Sequence, residues 1–137
     1  MILMAAAVSD YRPAESFAAK RPKSAEPWTV ELVPTADVAR ALGAARRDRA
    51  RSGQVLVAFG AESGEEGLAR KRSMLTDKNV DLVVYNDVGR DDIGFDSADN
   101  EVVLIARDGE RVVPKASKTA IAHEILDEVE RLLAGGR

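Results

Sequence analysis

Three short apolar runs, interleaved with stretches of helical periodicity, constrain this chain more than any other feature. Residues 1–8, 54–60 and 80–85 are apolar without alternation, the pattern of strands buried on both faces. Val38, Ala41, Leu42 and Ala45 fall on one helical face. Thr35 and Asp37 suit the cap and first turn of that helix, and Arg46, Arg47, Arg49 and Arg51 suit the negative end of its dipole. Gly64 and Glu65 open a second helix that runs through Thr76. Residues 117–133 make a third, with Ile121, Ile125, Val129 and Leu132 as its stripe, Leu126 and Leu133 beside it, and Gly135-Gly136 as its stop. Asp108-Gly109, flanked by residues 101–106 and 111–113, is a hairpin turn signal. Alternating strands and helices predict an α/β class, a Rossmann-like three-layer domain whose mainly parallel sheet ends in a late antiparallel hairpin.

Composition bounds the function. At 137 residues and 45% hydrophobic content, the chain fits a single domain with a real core. A net charge of −3 gives no electrostatic reason to expect nucleic acid or an anionic membrane. The absence of cysteine excludes disulfides and thiolate metal sites and allows a cytoplasmic home. The apolar start is too short for a membrane span and lacks the charged front of a signal peptide. A strand of that kind is expected to have neighbours on both sides. Residues 1–137 are therefore read as one domain lacking an upstream segment, the alternative being a natural N-terminal strand.

In open α/β sheets, ligands bind at the C-terminal ends of the strands. The first such end is Ala5-Ala6-Ala7-Val8-Ser9-Asp10-Tyr11. Its small residues let a ligand approach, and Asp10 suits a Mg²⁺ ion held by phosphates; close packing before an Asp turn explains the same residues. At Ala58-Phe59-Gly60-Ala61-Glu62, Phe59 could stack on a base or fill the core, and Glu62 reads as a cap or solvated charge. Asn86 could donate to a ligand or end its strand. The long loop over residues 9–27 carries Lys20, Arg21 and Lys23, either a cover for a polyphosphate or a solvated loop. A short strand is expected at residues 28–33. Lys71, Arg72 and Lys78 could face the same cleft or pair with Glu65 and Glu66. His123 is the single histidine, so no Ser-His-Asp set and no histidine-rich metal site can be built. There is no Walker-type loop and no G-x-G-x-x-G. The residues alone lead to an anion-binding α/β domain with a basic flap.

Several segments, in order, resemble one family. Residues 5–12 are similar to an alanine-rich strand ending in Asp-Tyr, and Lys20-Arg21-Pro22-Lys23 to a lysine-bearing flap. Thr35-Ala36-Asp37-Val38 resembles an Asn-Pro-Asp-Ile helix start, and Phe59-Gly60-Ala61-Glu62-Ser63 resembles Phe-Ala-Ala-Glu-Thr. Residues 81–88, then Gly94-Phe95-Asp96-Ser97 and Asn100-Glu101-Val102, complete the pattern. The family is the phosphopantothenate–cysteine ligases, often fused behind a flavin-dependent decarboxylase. The resemblance implies CTP, phosphopantothenate and cysteine as partners, Mg²⁺ with the CTP, no flavin in this chain, a homodimer, a decarboxylase domain upstream, and the cytoplasm. By the same resemblance Ala5, Ala6, Ala7, Asp10, Lys20, Ala36, Asp37, Val38, Ala39, Phe59, Lys71 and Lys78 would bind the nucleotide. Asp10 would lie by the metal, and Lys20 would be the catalytic lysine of the flap. Three departures stand out. The family's glycine-rich first loop and an asparagine before the alanine strand have no counterpart here. Met74 stands where the family has the first of two helix lysines, leaving Lys71 as the substitute. Thr35-Ala36 replaces Asn-Pro. The other readings are a non-catalytic nucleotide-binding module and a dimerisation module pairing through residues 101–113.

Overall fold

The computed structural model describes residues 1–48, 53–89 and 98–135. Arg49, Arg51, the Gly94-Phe95-Asp96-Ser97 motif and Gly136 lie outside the described residues, as does the side chain of Arg47. In chain order the elements are β1 (Ile2–Met4), β2 (Tyr11–Pro13), β3 (Leu32–Pro34), α1 (Val38–Asp48), β4 (Leu56–Glu62), α2 (Gly64–Asp77), β5 (Leu82–Asp87), β6 (Asp99–Ala106), β7 (Gly109–Ser117) and α3 (Lys118–Gly135). Two compact units form: Met1–Ala5 with Ala39–Arg137, and Ala6–Val38.

The first unit holds a five-stranded sheet in the order β1-β4-β5-β6-β7. β1, β4 and β5 pair in parallel, while β6 runs antiparallel to both β5 and β7. Four of the five strands therefore share one direction, and β6 alone is reversed. Strand alternation sorts the core onto two faces. Val57, Leu82, Val84, Val102 and Leu104 pack with Ile121, Ile125 and Val129 of α3. Leu56, Ala58, Val83, Tyr85 and Ile105 pack with Met74 and Leu75 of α2, and Leu42 of α1 joins them. This is the expected Rossmann-like layering, with the sheet between helices. No helix among the described residues is long and apolar enough to cross a membrane.

Two local expectations are corrected. The opening strand is three residues long, not eight, and β4 is its one partner among the described residues. As an edge strand it buries Ile2 in part while Leu3 is 39% exposed, so an unbroken apolar run does not signal burial on both faces here. The inward side of α1 is formed by Ala39, Leu42, Gly43 and Arg46, with Ala41 and Ala45 exposed. The helix is turned because Gly43 packs against the end of α2: a Cβ there would lie 1.8 Å from the Lys78 carbonyl oxygen. Arg46 also reaches Asp81 at 2.6 Å, and the Asp81 carboxylate accepts the Leu56 backbone N–H at 2.7 Å. α2 stops at Asn79, whose φ of 51° places it in the left-handed region that asparagine tolerates after a helix. The Asn79 side-chain amide donates to the Gly43 carbonyl at 3.0 Å, fixing the same junction from the other side.

Candidate functional site

In the first unit, the polar groups gather where β4 and β5 end and α2 begins. Ala61 pairs with Asn86, and Glu62 with Asp87. Gly60 and Glu62 alternate with Ala61 and so share the α2 side of the sheet with Leu56 and Ala58. Gly60 leaves room for a close approach: a Cβ would lie 2.5 Å from both Cδ and Cε of Lys71, so any side chain there would displace the lysine stem. The Lys71 ammonium donates to Glu62 Oε1 at 3.0 Å, and Arg70 Nε donates to Oε2 at 2.8 Å. The Lys71 hydrogen bond, reinforced by Arg70 and opposed by partial burial, holds the Glu62 carboxyl below the usual glutamate range. The Tyr85 hydroxyl lies 3.2 Å from the Glu62 carbonyl and 3.1 Å from the Gly64 carbonyl, and donates into that turn. Burial, with the Asp87 and Glu62 charges behind it, pushes the phenol's pKa up and keeps it a donor. Gly64 holds φ at 69°, a left-handed conformation that favours glycine. Asp87 accepts from the Gly89 N–H at 2.9 Å and from the Gly64 N–H at 3.4 Å. The Asn86 Oδ1 atom is buried without a hydrogen-bond partner among the described residues.

In the second unit, β2 and β3 form a two-stranded antiparallel sheet with Tyr11 opposite Pro34. Past its end, the Thr35 N–H donates to the Asp10 carbonyl at 2.9 Å, and the Thr35 hydroxyl donates to the Ser9 carbonyl. The hydroxyl expected to cap α1 is thus turned to Ser9, and the segment leading to Ala36 and Asp37 is fastened to the backbone of Asp10. The loop between the strands is closed at its base by the Ala14 N–H on the Glu31 carbonyl at 2.9 Å. Within it the Phe17 and Trp28 rings meet edge to face at 6.4 Å, and the Arg21 guanidinium lies 4.4 Å from the Trp28 ring centroid. Trp28 belongs to this loop and not to a strand, because β3 begins only at Leu32. Lys20 sits beside Arg21 and is exposed, as is Asp10.

The residues expected at the site divide between the units. Ala6, Ala7, Asp10, Lys20, Ala36, Asp37 and Val38 belong to the second; Ala5, Ala39, Phe59, Lys71 and Lys78 belong to the first. Hydrogen bonds draw Asp10 to the turn before Ala36 and Asp37. Within the first unit, Lys71 reaches the end of β4, whereas Lys78 caps the far end of α2, its N–H on the Met74 carbonyl at 3.1 Å. Phe59, 38% exposed, alternates onto the sheet face opposite Gly60, so Phe59 and Lys78 are not drawn together there. Met74 is in the core at 9% exposure, which leaves Lys71, next to Arg70, as an α2 cation at the strand end. The pairing of Lys71 and Arg72 with Glu65 and Glu66 is replaced. Lys71 takes Glu62, and Arg72 takes Glu110 of β7 with a second contact at 2.8 Å. In the sequence Glu62 reads as a cap or solvated charge and Tyr85 as the end of a buried strand, so neither stands out as a site residue. The available signal was Gly60, one glycine two residues before a strand-end carboxylate. Among the described residues no three His, Cys, Asp or Glu side chains gather as a metal cage.

Comparison with known proteins follows this geometry. Residues 1–133 match the model of a family described as DNA/pantothenate metabolism flavoprotein C-terminal domain. The coenzyme A biosynthesis bifunctional protein CoaBC of Bacillus subtilis is 37% identical over 96% of this chain and 31% of its own length. The protein of that name from Mycobacterium bovis is 37% identical over 98% of this chain and 34% of its own length. The chain thus spans about a third of the length of the curated relatives it matches. A crystal structure of the C-terminal domain of a CoaBC protein superposes with a TM-score of 0.66 at 27% identity, covering 95% of this chain and 53% of that one. The DNA/pantothenate metabolism flavoprotein from Streptococcus pneumoniae, at 18% identity and a TM-score of 0.62, shares the fold over 90% of this chain and 57% of its own.

Proposed function

The chain belongs to the family of DNA/pantothenate metabolism flavoprotein C-terminal domains, and on that premise we propose that it provides the site at which CTP drives the joining of cysteine to phosphopantothenate in coenzyme A biosynthesis. The observation that carries the reading is the fastening of Asp10 to the turn before α1 through Thr35. It ties an acidic strand end to the turn that leads into α1, and a helix N-terminus favours phosphate oxygens.

In this reading a carboxylate oxygen of phosphopantothenate attacks the α-phosphorus of CTP and pyrophosphate leaves. The cysteine amine then attacks the acyl carbon of the cytidylate, CMP departs, and the amine loses a proton. Ala5, Ala6 and Ala7 keep the approach to the triphosphate free of bulk. Ala36, Asp37, Val38 and Ala39 present the helix start to it. Lys20, on the exposed flap, meets the charge that develops as the acyl group is transferred. Lys71 adds a cation from the end of β4; Phe59, on the opposite sheet face, and Lys78, at the far end of α2, are not assigned to the same contact. Asp10 fits a Mg²⁺ ion held mainly by the phosphates, since one exposed carboxylate is what that mode of binding asks of a protein. Such an ion would neutralise phosphate charge. Flavin has no role in this chain's share of the chemistry. The bifunctional names of the relatives support a second, fused activity, which the family resemblance makes a flavin-dependent decarboxylase upstream. β7, an edge strand among the described residues, suits pairing with a second copy as a homodimer.

Thermal shift with CTP and Mg²⁺, followed by pyrophosphate release on adding phosphopantothenate, tests the reading. CTP should raise the melting temperature, and Lys20→Ala should slow acyl transfer more than it weakens CTP binding. A chain whose melting is indifferent to CTP across the millimolar range would end it.

A further inference from the structure

The ligase reading gives Lys71 a nucleotide contact but leaves its two neighbours at the end of β4 without a role. The Lys71 stem lies in the space a Gly60 side chain would fill, with Cδ and Cε each 2.5 Å from a Cβ placed there. Its ammonium donates to Glu62 Oε1 at 3.0 Å, and the side chain is only 15% exposed. Glu62 is itself fixed. Arg70 holds its other oxygen at 2.8 Å, and Tyr85 donates to the Glu62 carbonyl. A Cβ on Gly67 would meet Glu62 Cβ at 2.8 Å, so α2 lies directly against the carboxylate's stem. Lysine is a flexible cation with three donors, and one is used by Glu62, leaving two for an anion. Holding the stem in place beforehand removes the ordering cost that a ligand would otherwise bear.

We propose that Gly60 and Glu62 are positioning residues for Lys71, which they hold across the end of β4 as a preset cation for the phosphate oxygens of the nucleotide. This rests on the nucleotide reading above. Gly60 supplies the room, and Glu62 supplies the acceptor that aims the ammonium. A structural ion pair that merely fastens α2 to the sheet would use the same two charges. It would leave ligand affinity unmoved.

The test is calorimetric titration of the chain with Mg²⁺–CTP and, separately, with inorganic tripolyphosphate, each variant being checked for an intact melting transition. Lys71→Met should weaken both ligands on the order of tenfold, the scale of a lost charge-assisted hydrogen bond. Gly60→Ala, which displaces the flexible stem without removing the cation, should weaken them less than Lys71→Met, and adding Gly60→Ala to Lys71→Met should change nothing further. Glu62→Gln, which can still accept from the ammonium, should keep most of the affinity that Glu62→Ala loses. Tighter binding in Glu62→Ala would make Glu62 a competitor of the ligand and overturn the proposal. So would binding by all the variants that equals the unaltered chain, an outcome that leaves the nucleotide reading standing. If the unaltered chain binds neither ligand, the nucleotide reading fails and this assignment fails with it. Should Gly60→Ala not fold, the contrast between Glu62→Gln and Glu62→Ala decides.

Discussion

The two units of this chain are built on opposite terms. The first places Leu56, Val57, Leu82, Val83 and Leu104 at or below 2% exposure between layers of helix. The second leaves its large apolar side chains in solvent: Tyr11 and Phe17 are each 59% exposed, Leu32 55% and Trp28 53%. Its order comes from two short strands, backbone hydrogen bonds at Thr35 and Ala14, and one aromatic contact clasped by Arg21. A two-stranded hairpin is marginal by itself in water. The contrast separates two uses of sequence. The sheet is specified by burial, and its residues are replaceable by others of like size. The hairpin and flap are specified by turn chemistry and a few contacts, and no apolar core of their own holds them.

The comparison breaks first in the core. Leu56→Ala should cost about 2–5 kcal/mol, since Leu56 is fully buried between β1, β5 and α2. Urea unfolding followed by far-UV circular dichroism should show one transition moved as a whole. A midpoint shift confined to residues 6–38 would reverse the assignment of roles. Next in size is Gly43→Ala. On propensity alone it should stabilise α1. The 1.8 Å approach to the Lys78 carbonyl predicts the reverse, a loss of about 1–3 kcal/mol from forced separation of the two helices. The sign of the change in denaturation midpoint decides between local and tertiary control at that position.

The same division governs what could be read from the sequence. Strands at residues 54–60 and 80–85, the hairpin at Asp108-Gly109 and the stripe of α3 are all found, because burial leaves a periodic trace. The length of β1 and the orientation of α1 were misread. An edge strand keeps its apolar residues without burying them, and Gly43 and Arg46 face inward for reasons that lie in Lys78 and Asp81, far along the chain. Motif order marks Asp10, Lys20 and the Thr35 turn, and the structure joins Asp10 to Thr35. The Glu62–Lys71 pair was not. It joins residues nine apart across a strand-to-helix turn, a spacing that no helical or strand period marks. Its trace is negative, a glycine where a side chain would collide.

In the second unit Trp28→Ala should barely move the global transition. The ring contact it removes is mostly exposed, and such contacts contribute at most about 1.5 kcal/mol beyond area burial. Its effect should be local. Backbone amides of residues 14–31 should exchange faster with deuterium while those of β4 and β5 do not change. If β4 and β5 lost protection too, the two units would be one cooperative structure and the contrast drawn here would dissolve.

The smallest effect is the sharpest, because it concerns a single proton in the first unit. Lys71 and then Arg70 keep the Glu62 carboxyl ionised below the usual glutamate range. A carboxyl whose folded-state pKa is depressed adds stability that is complete above its unfolded value and is lost as pH falls through the folded one. The Lys71 tether should therefore hold through neutral pH and let go only in acid, below the range where ordinary glutamates protonate. The side-chain carboxyl ¹³C shift of Glu62 follows this directly, and Lys71→Met should move its midpoint upward toward the ordinary glutamate value. Arg70→Ala should move it less, because the Lys71 hydrogen bond is the larger cause. A Glu62 midpoint unmoved by Lys71→Met would mean that the ammonium does not rest on this carboxylate in solution. That tether between α2 and the sheet would then contribute nothing to the first unit.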